Sequence, residues 1–195
     1  MIPLDVQPIT LCGAFVRLEP ATFDHAESLA KYAEPELFQY FAGVRPQPQT
    51  PEAVKDFLTA SKKDRLVFAV IDLSTGESIG TTSFMDIRRE DLGLEIGSTW
   101  LGRKFHGTKV NPECKLLLLQ HAFEQLGCMR IQLRTDMRNL KSRGAIEKLG
   151  AKQEGIFRQH VLMPDGFRRD TVFFSILDSE WPIIKERLQQ RLKSD

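Results

Sequence analysis

Hydrophobic and polar positions change period repeatedly along the chain. From Leu11 to Glu19 they alternate, with Ala14, Val16 and Leu18 on one side and Phe15, Arg17 and Glu19 on the other, the period of a half-buried strand. Pro20 ends it. Thr22 or Asp24 caps a helix running through Leu29 to Tyr32, whose Ala26, Leu29, Ala30 and Ala33 share a face. A second short helical piece, Glu36 to Phe41, carries Phe38, Tyr40 and Phe41. The proline-rich loop Arg45 to Pro51 is too short to link domains, and Thr50 followed by Pro51 predicts the cap and first turn of a helix to about Lys62.

Leu66 to Leu73 is almost wholly apolar, which places it centrally in a sheet. Ser74-Thr75-Gly76-Glu77 turns the chain, Ile79 to Ile87 returns, and the charged reversal Arg88 to Asp91 leads to a strand over Leu92 to Leu101. Here Leu92, Leu94, Ile96, Ser98 and Trp100 point one way and Gly93, Glu95, Gly97 and Thr99 the other, so one face is cut back to glycine around a carboxylate. A basic loop, Arg103 to Lys109, opens into a helix from about Asn111 to Leu126 that Gly127 stops. Met129, Ile131, Leu133 and Thr135 line the buried side of the next strand, opposite Arg130, Gln132, Arg134 and Asp136. Asn139 caps a helix, Leu140 to Leu149, closed by Gly150. A strand from about Lys152 to Met163, the turn Pro164-Asp165-Gly166, a strand over Thr171 to Ile176 and an amphipathic helix from Ser179 to Lys193 complete the chain. The pattern predicts a mixed α/β sheet with one helix returning between two parallel strands.

Length and composition narrow this. A chain of 195 residues suits one α/β domain covering 1–195. With 27 Lys and Arg against 26 Asp and Glu, no global field draws it to nucleic acid or to an anionic membrane, so any anion is held locally. Cys12, Cys114 and Cys128 are widely spaced and form neither a disulfide framework nor a zinc site, and His25, His106, His121 and His160 lack ligand spacing, so no metal is expected. Cys114 sits near a helix N-terminus, but no His and Asn or Asp arrangement makes it a nucleophile. The N-terminal stretch lacks a basic region followed by an apolar run, and no segment is long and apolar enough to span a bilayer, which predicts a cytoplasmic protein.

The basic loop is the main candidate for chemistry. A loop entering a helix directly presents free amides and the positive end of the helix dipole, and a phosphate suits both. The alternative is a simple turn at Gly107 with solvated basic side chains.

With this loop in place, five segments occur in an order that resembles the GNAT superfamily of acyl-CoA-dependent N-acetyltransferases, in the branch of ribosomal-protein N-terminal acetyltransferases. They are Leu94 to Trp100, Lys104 to Lys109, His121 to Gly127, Asn139 to Gly150 and Gln153 to Arg158, and the match covers most of the chain. The resemblance implies a GNAT-like fold with a mostly antiparallel twisted sheet of about 6–7 strands, flanked by helices and splayed between the fourth and fifth strands. It implies acetyl-CoA as cosubstrate and direct transfer, in a ternary complex, to a primary amine of a protein N-terminus or small molecule. The family's phosphate signature is met by Lys104 and Gly107, but Lys109 stands where glycine is usual, and a Cβ there obstructs close approach of the backbone to phosphate.

Residue by residue, the resemblance implies that Gly107, Thr108, Lys109, Val110 and Asn111 wrap a pyrophosphate, with Lys104 at the head of the signature. A lysine at a helix N-terminus is unfavourable unless an anion offsets it, which makes the Lys109 side chain a direct phosphate partner; the alternative is a solvated side chain. Main-chain amides around Ile96 and Gly97 would serve the oxyanion, and Asn139 would contact the pantetheine. Ser142 would bind the cofactor and donate to the departing sulfur, or merely cap its helix. Arg143 would meet the 3′-phosphate. Glu95 is the candidate for the amine proton; the alternative is an ion pair with an arginine on the neighbouring strand. Acceptor contacts are expected at Tyr40, Phe41 and Phe84, in the Arg45 to Pro51 loop and along Phe157 to Met163, although core packing also explains such aromatics. A homodimer is common in this family and stays open here. Two other readings remain: a non-catalytic acyl-CoA-binding or regulatory module on the same fold, kept open by the Lys109 departure, and a binding protein for another phosphorylated ligand such as a nucleotide.

Overall fold

The computed structural model describes residues 2–62 and 65–193; Met1, Lys63, Asp64, Ser194 and Asp195 lie outside the described residues. The strands are β1 (Leu11–Cys12), β2 (Val16–Pro20), β3 (Leu66–Asp72), β4 (Ser78–Arg88), β5 (Gly93–Leu101), β6 (Arg130–Asp136), β7 (Lys152–Leu162) and β8 (Arg168–Leu177). The α-helices are α1 (Ala26–Tyr32), α2 (Pro51–Ser61), α3 (Val110–Gln120), α4 (Leu140–Leu149) and α5 (Trp181–Lys193). One open sheet runs in the order β1-β2-β3-β4-β5-β6-β8-β7. Every neighbouring pair is antiparallel except β5 and β6, which α3 connects as a crossover between parallel strands.

Among the described residues the sheet has 8 strands rather than the expected 6–7, because Leu11 to Glu19 is not continuous. It folds back as β1 against β2, pairing Leu11 with Leu18 and Cys12 with Arg17. The turn between them is held from a distance: buried Glu113 on α3 accepts the amides of Ala14, Phe15 and Val16, each at 2.7 Å. A Cβ on Gly13 would lie 2.4 Å from the Glu113 carboxyl carbon, so glycine is the residue that fits.

Helices cover the two faces unequally. Phe68, Val70, Leu94, Ile96, Ile131, Leu133, Val172 and Phe174 face α3, α4 and α5 in the larger core cluster. Val67, Ala69 and Ile71 face α1 and α2 in the smaller one. Helices on both faces of β3 explain its unbroken apolar run. On the second face, α1 and α2 do not extend over β6, β8 and β7, so Arg130, Gln132, Arg134 and Phe173 line an open cleft of about 760 Å³.

Other sequence expectations need correction. The alternation in β5 fails at a bulge where Ser98 takes φ 51°, and Thr81↔Trp100 is followed by Ser83↔Gly97. One extra residue reverses the faces beyond it. Trp100 therefore packs on Phe38 in the smaller cluster, not beside Leu94 and Ile96. The helix expected from Asn111 to Leu126 is α3 followed by a wider π-turn, His121–Gln125. It starts at Val110, with Lys109 in the cap position. Met129 precedes β6 and is exposed rather than on its buried side. Thr50, Asn139 and Gly150 occupy the expected caps, Thr50 accepting from the Ala53 amide and Asn139 from Ser142.

Candidate active site

The loop before α3 is an open cradle of main chain. Gly107 has φ 79°, which an L-residue adopts only with strain, and nothing lies within 4 Å of where its Cβ would be. Thr108 Oγ1 donates to the Phe105 carbonyl at 2.8 Å and accepts from the Val110 amide at 3.3 Å. Among the described residues, the amides of Gly107, Thr108 and Lys109 have no protein acceptor. They fit an anion at a helix start. The loop's lysines turn to aromatic faces instead: Lys104 Nζ lies 4.8 Å from the Tyr32 and Phe105 ring centres, and Lys109 Nζ lies 5.4 Å from that of Phe15. His106 Nε2 donates to the Leu101 carbonyl, 2.9 Å away, and its other ring nitrogen meets Lys141 of α4. Burial and the Lys141 charge lower its pKa.

β5 and β6 pair only as Gly93↔Arg130, Leu94↔Ile131 and Glu95↔Gln132. Beyond Glu95 the seam opens, bordered by the Ser98 bulge on one strand and by the turn into α4 on the other. Glu95 stands at the last closed rung, 2% exposed, accepting from Arg134 Nε and Gln132 Nε2 at 2.9 Å each. Burial raises its pKa, with the Arg134 charge opposing that shift. Glu95 and Gly97 share a face, since a Cβ on Gly97 would lie 3.0 Å from Glu95 Oε1. Asn139 and Ser142 sit half-buried at the start of α4, Asn139 Oδ1 accepting the Ser142 amide at 3.0 Å.

This combination of a seam opening beside a free-amide loop agrees with the family comparison: residues 16–152 match the family model described as "Acetyltransferase (GNAT) domain". The chain belongs to the GNAT acetyltransferase family. N-acetyltransferase p20 of Bacillus licheniformis is 27% identical over 178 residues, covering 88% of this chain and 98% of that protein. A Bacillus subtilis protein named as a ribosomal N-acetyltransferase, YdaF, is 29% identical over 109 residues, 56% of this chain; the matched region spans only 58% of YdaF itself. The crystal structure of a GCN5-related N-acetyltransferase from Brucella melitensis superposes with a TM-score of 0.91 at 32% identity, covering 98% of this chain and 89% of that one. GNAT domains use acetyl-CoA, and the free amides around Gly107 suit its phosphates.

In this GNAT chain the remaining expected site residues are scattered. Ile96 is 1% exposed, so only its main chain is available, whereas Gly97 is half-buried. Val110 is buried and Asn111 half-buried in the first turn of α3. Arg143 reaches back to the Met137 carbonyl at 3.4 Å, and its buried Nε has no partner. Tyr40 lies beside the open face, with its carbonyl accepting from Arg169 at 3.2 Å and its ring 5.7 Å from the Arg138 guanidinium. Phe41 instead packs edge-on against Phe38. Phe84 is 0% exposed, between Phe68 and the His121 ring, and as part of the core it cannot meet an acceptor. Phe157 is exposed at the open face and borders the cleft.

Several residues were not singled out from the sequence. Gln132 holds Glu95 together with Arg134, the neighbouring-strand arginine of the ion pair given above as the alternative for Glu95, and the β5 to β6 register is what picks out both residues. Lys115 donates to Thr99 Oγ1 in the bulge at 3.0 Å, and Thr99 meets Thr82 at 2.8 Å. Burial brings the Lys115 ammonium down to about 8. Cys114 is fully enclosed, and burial pushes its thiol up to about 12, the opposite of what a nucleophile needs. Among the described residues no group of His, Cys, Asp or Glu could hold a metal ion, and no helix is long and apolar enough to cross a membrane.

Proposed function

We propose that this acetyltransferase moves an acetyl group from acetyl-CoA to a primary amine, a protein N-terminus or small-molecule amine, by direct transfer in a ternary complex. The observation that carries this reading is the seam beyond Glu95↔Gln132, which joins the free-amide loop to the open face. Acetyl-CoA supplies an activated thioester. The main chain from Gly107 to Asn111 holds its phosphates, aided by the charges of Lys104 and Lys109 once they leave their aromatic rings. Amides around Ile96 and Gly97 face developing negative charge on oxygen. Glu95 takes the amine proton directly or through a water, helped by the raised pKa that burial gives it. Asn139 and Arg143 contact the cofactor, and the Ser142 hydroxyl faces the departing sulfur.

The test is thiol release from acetyl-CoA with a panel of N-terminal peptides and small amines, with products weighed by mass spectrometry. Acetylated amine with matching thiol supports the proposal. CoA binding without turnover of any amine points to a non-catalytic module, and a thermal shift with ATP but not CoA rejects the cofactor assignment.

A further inference from the structure

The open face carries guanidinium donors that its own carboxylates do not fill. Three guanidiniums, Arg134, Arg138 and Arg169, gather where β6 and β8 run together. Each of the two carboxylates among them is already engaged: Glu95 by Arg134 and Gln132, Asp136 by the Arg138 side chain and amide. Arg169 has neither. It is half-buried, donates from Nε to Thr171 Oγ1 and from one terminal nitrogen to the Tyr40 carbonyl, both at 3.2 Å, and forms no carboxylate pair among the described residues. Both contacts are to neutral oxygens, so most of the guanidinium fork is unused.

Burial lowers the Arg169 pKa, Asp136 opposes that shift and Arg134 adds to it; burial, then the charges of Arg134 and Arg169, lowers that of His160. The His160 ring packs on Phe157 and Phe173, the aromatics that border the cleft. Arg138 is fixed with its guanidinium 3.6 Å from the Phe167 ring centre and already holds Asp136. Arg169 and the unused nitrogens of Arg134 therefore remain to receive an anion, next to the carboxylate proposed to take the amine proton.

We infer that the acceptor amine carries a carboxylate, bound by the Arg169 and Arg134 guanidiniums on the open face so that the amine meets Glu95. A planar carboxylate matches a guanidinium fork in two parallel hydrogen bonds, which fixes orientation as well as charge. The carboxylate is either the α-carboxylate of a free amino acid or an acidic side chain next to a peptide N-terminus. The inference rests on the acetyl-transfer reading and narrows it.

The experiment compares matched acceptors in the thiol-release assay. One arm uses amino acids and their amides; the other uses peptides with Asp or Asn at the second position, and the arm that shows the preference identifies the source. The wild-type protein is expected to favour the carboxylate member by about tenfold or more in kcat/KM, chiefly through KM. Arg169→Gln should erase that preference by raising KM for the carboxylate member far more than for its neutral match, and Arg169→Lys should restore part of it. Thermal melting of each variant checks that the fold survives. Equal use of both members by the wild type, or a preference unchanged in a folded Arg169→Gln, overturns the inference and leaves acetyl transfer standing. Failure to acetylate any amine overturns both.

Discussion

The two ends of the open seam are built from different materials. At the loop before α3 the unpaired groups among the described residues are main-chain amides, and Lys104 and Lys109 rest on aromatic rings. On the open face the working groups are side chains held by one another: Glu95 by Arg134 and Gln132, Asp136 by Arg138, Glu154 by Arg130. A site made of backbone recognises a group common to every donor molecule and tolerates changed side chains. A site made of interlocked charges depends on each member, which is where discrimination between acceptors is expected to lie.

That contrast can be broken most severely by freeing the start of α3. Glu113→Ala removes the acceptor of three amides at a buried turn and is expected to cost about 3–5 kcal/mol, read as the change in denaturant midpoint. Stability within about 1 kcal/mol of the wild type would show that the β1–β2 turn satisfies itself. Gly107→Trp comes next: it fills the cradle and strains φ 79°, so CoA affinity measured by calorimetry should fall at least about a hundredfold while melting changes little. Unchanged affinity rejects the loop as the phosphate seat.

Lys115→Met tests the polar chain beneath the bulge. Burial holds the folded-state pKa of Lys115 at about 8 against an ordinary 10.5, so the charged form is penalised in the folded state. That penalty is present below about pH 8 and fades as pH rises toward 10.5. Lys115→Met should therefore be more stable than the wild type at pH 7, by on the order of 1–3 kcal/mol after allowance for partial exposure, and the gap should close at alkaline pH. A gap that does not vary with pH contradicts the burial argument.

The smallest expected change sharpens the acceptor end. Glu95→Gln keeps the shape but not the base, and kcat/KM should fall about tenfold or more. The loss should be largest between the raised carboxylate pKa and the amine pKa, shrinking on the acid side as Glu95 protonates and on the alkaline side as the amine deprotonates itself. A ratio flat across pH leaves Glu95 as the partner of Arg134 alone.

What the sequence disclosed follows the same division. Local chemistry was legible: the caps at Thr50 and Asn139, the left-handed stops at Gly127 and Gly150, and the glycine loop before α3 each depend on a few adjacent residues. The features that escaped depend on residues far apart. The bulge at Ser98 reverses Trp100 to the other face, and nothing in its apolar alternation marks the extra residue. Glu113 reads as an ordinary first-turn acid until the β1–β2 turn is laid against it, and Arg169 comes onto the same face as Arg134 only through the β6–β8 pairing. Phe84 was expected at the acceptor because it is aromatic, yet the sheet register points it into the core.

The Glu113 contact also sets a timetable for synthesis. The amides it satisfies precede it in the chain by 97 to 99 residues. At about 5–20 residues per second, roughly 5–20 s pass between the appearance of Ala14 and that of its acceptor. During that interval the N-terminal turn is complete in covalent terms but lacks its carboxylate partner, so β1 and β2 reach their final bonded arrangement only after α3 has begun to form. Slow translation between residues 16 and 113 would prolong this exposed state without altering the finished enzyme.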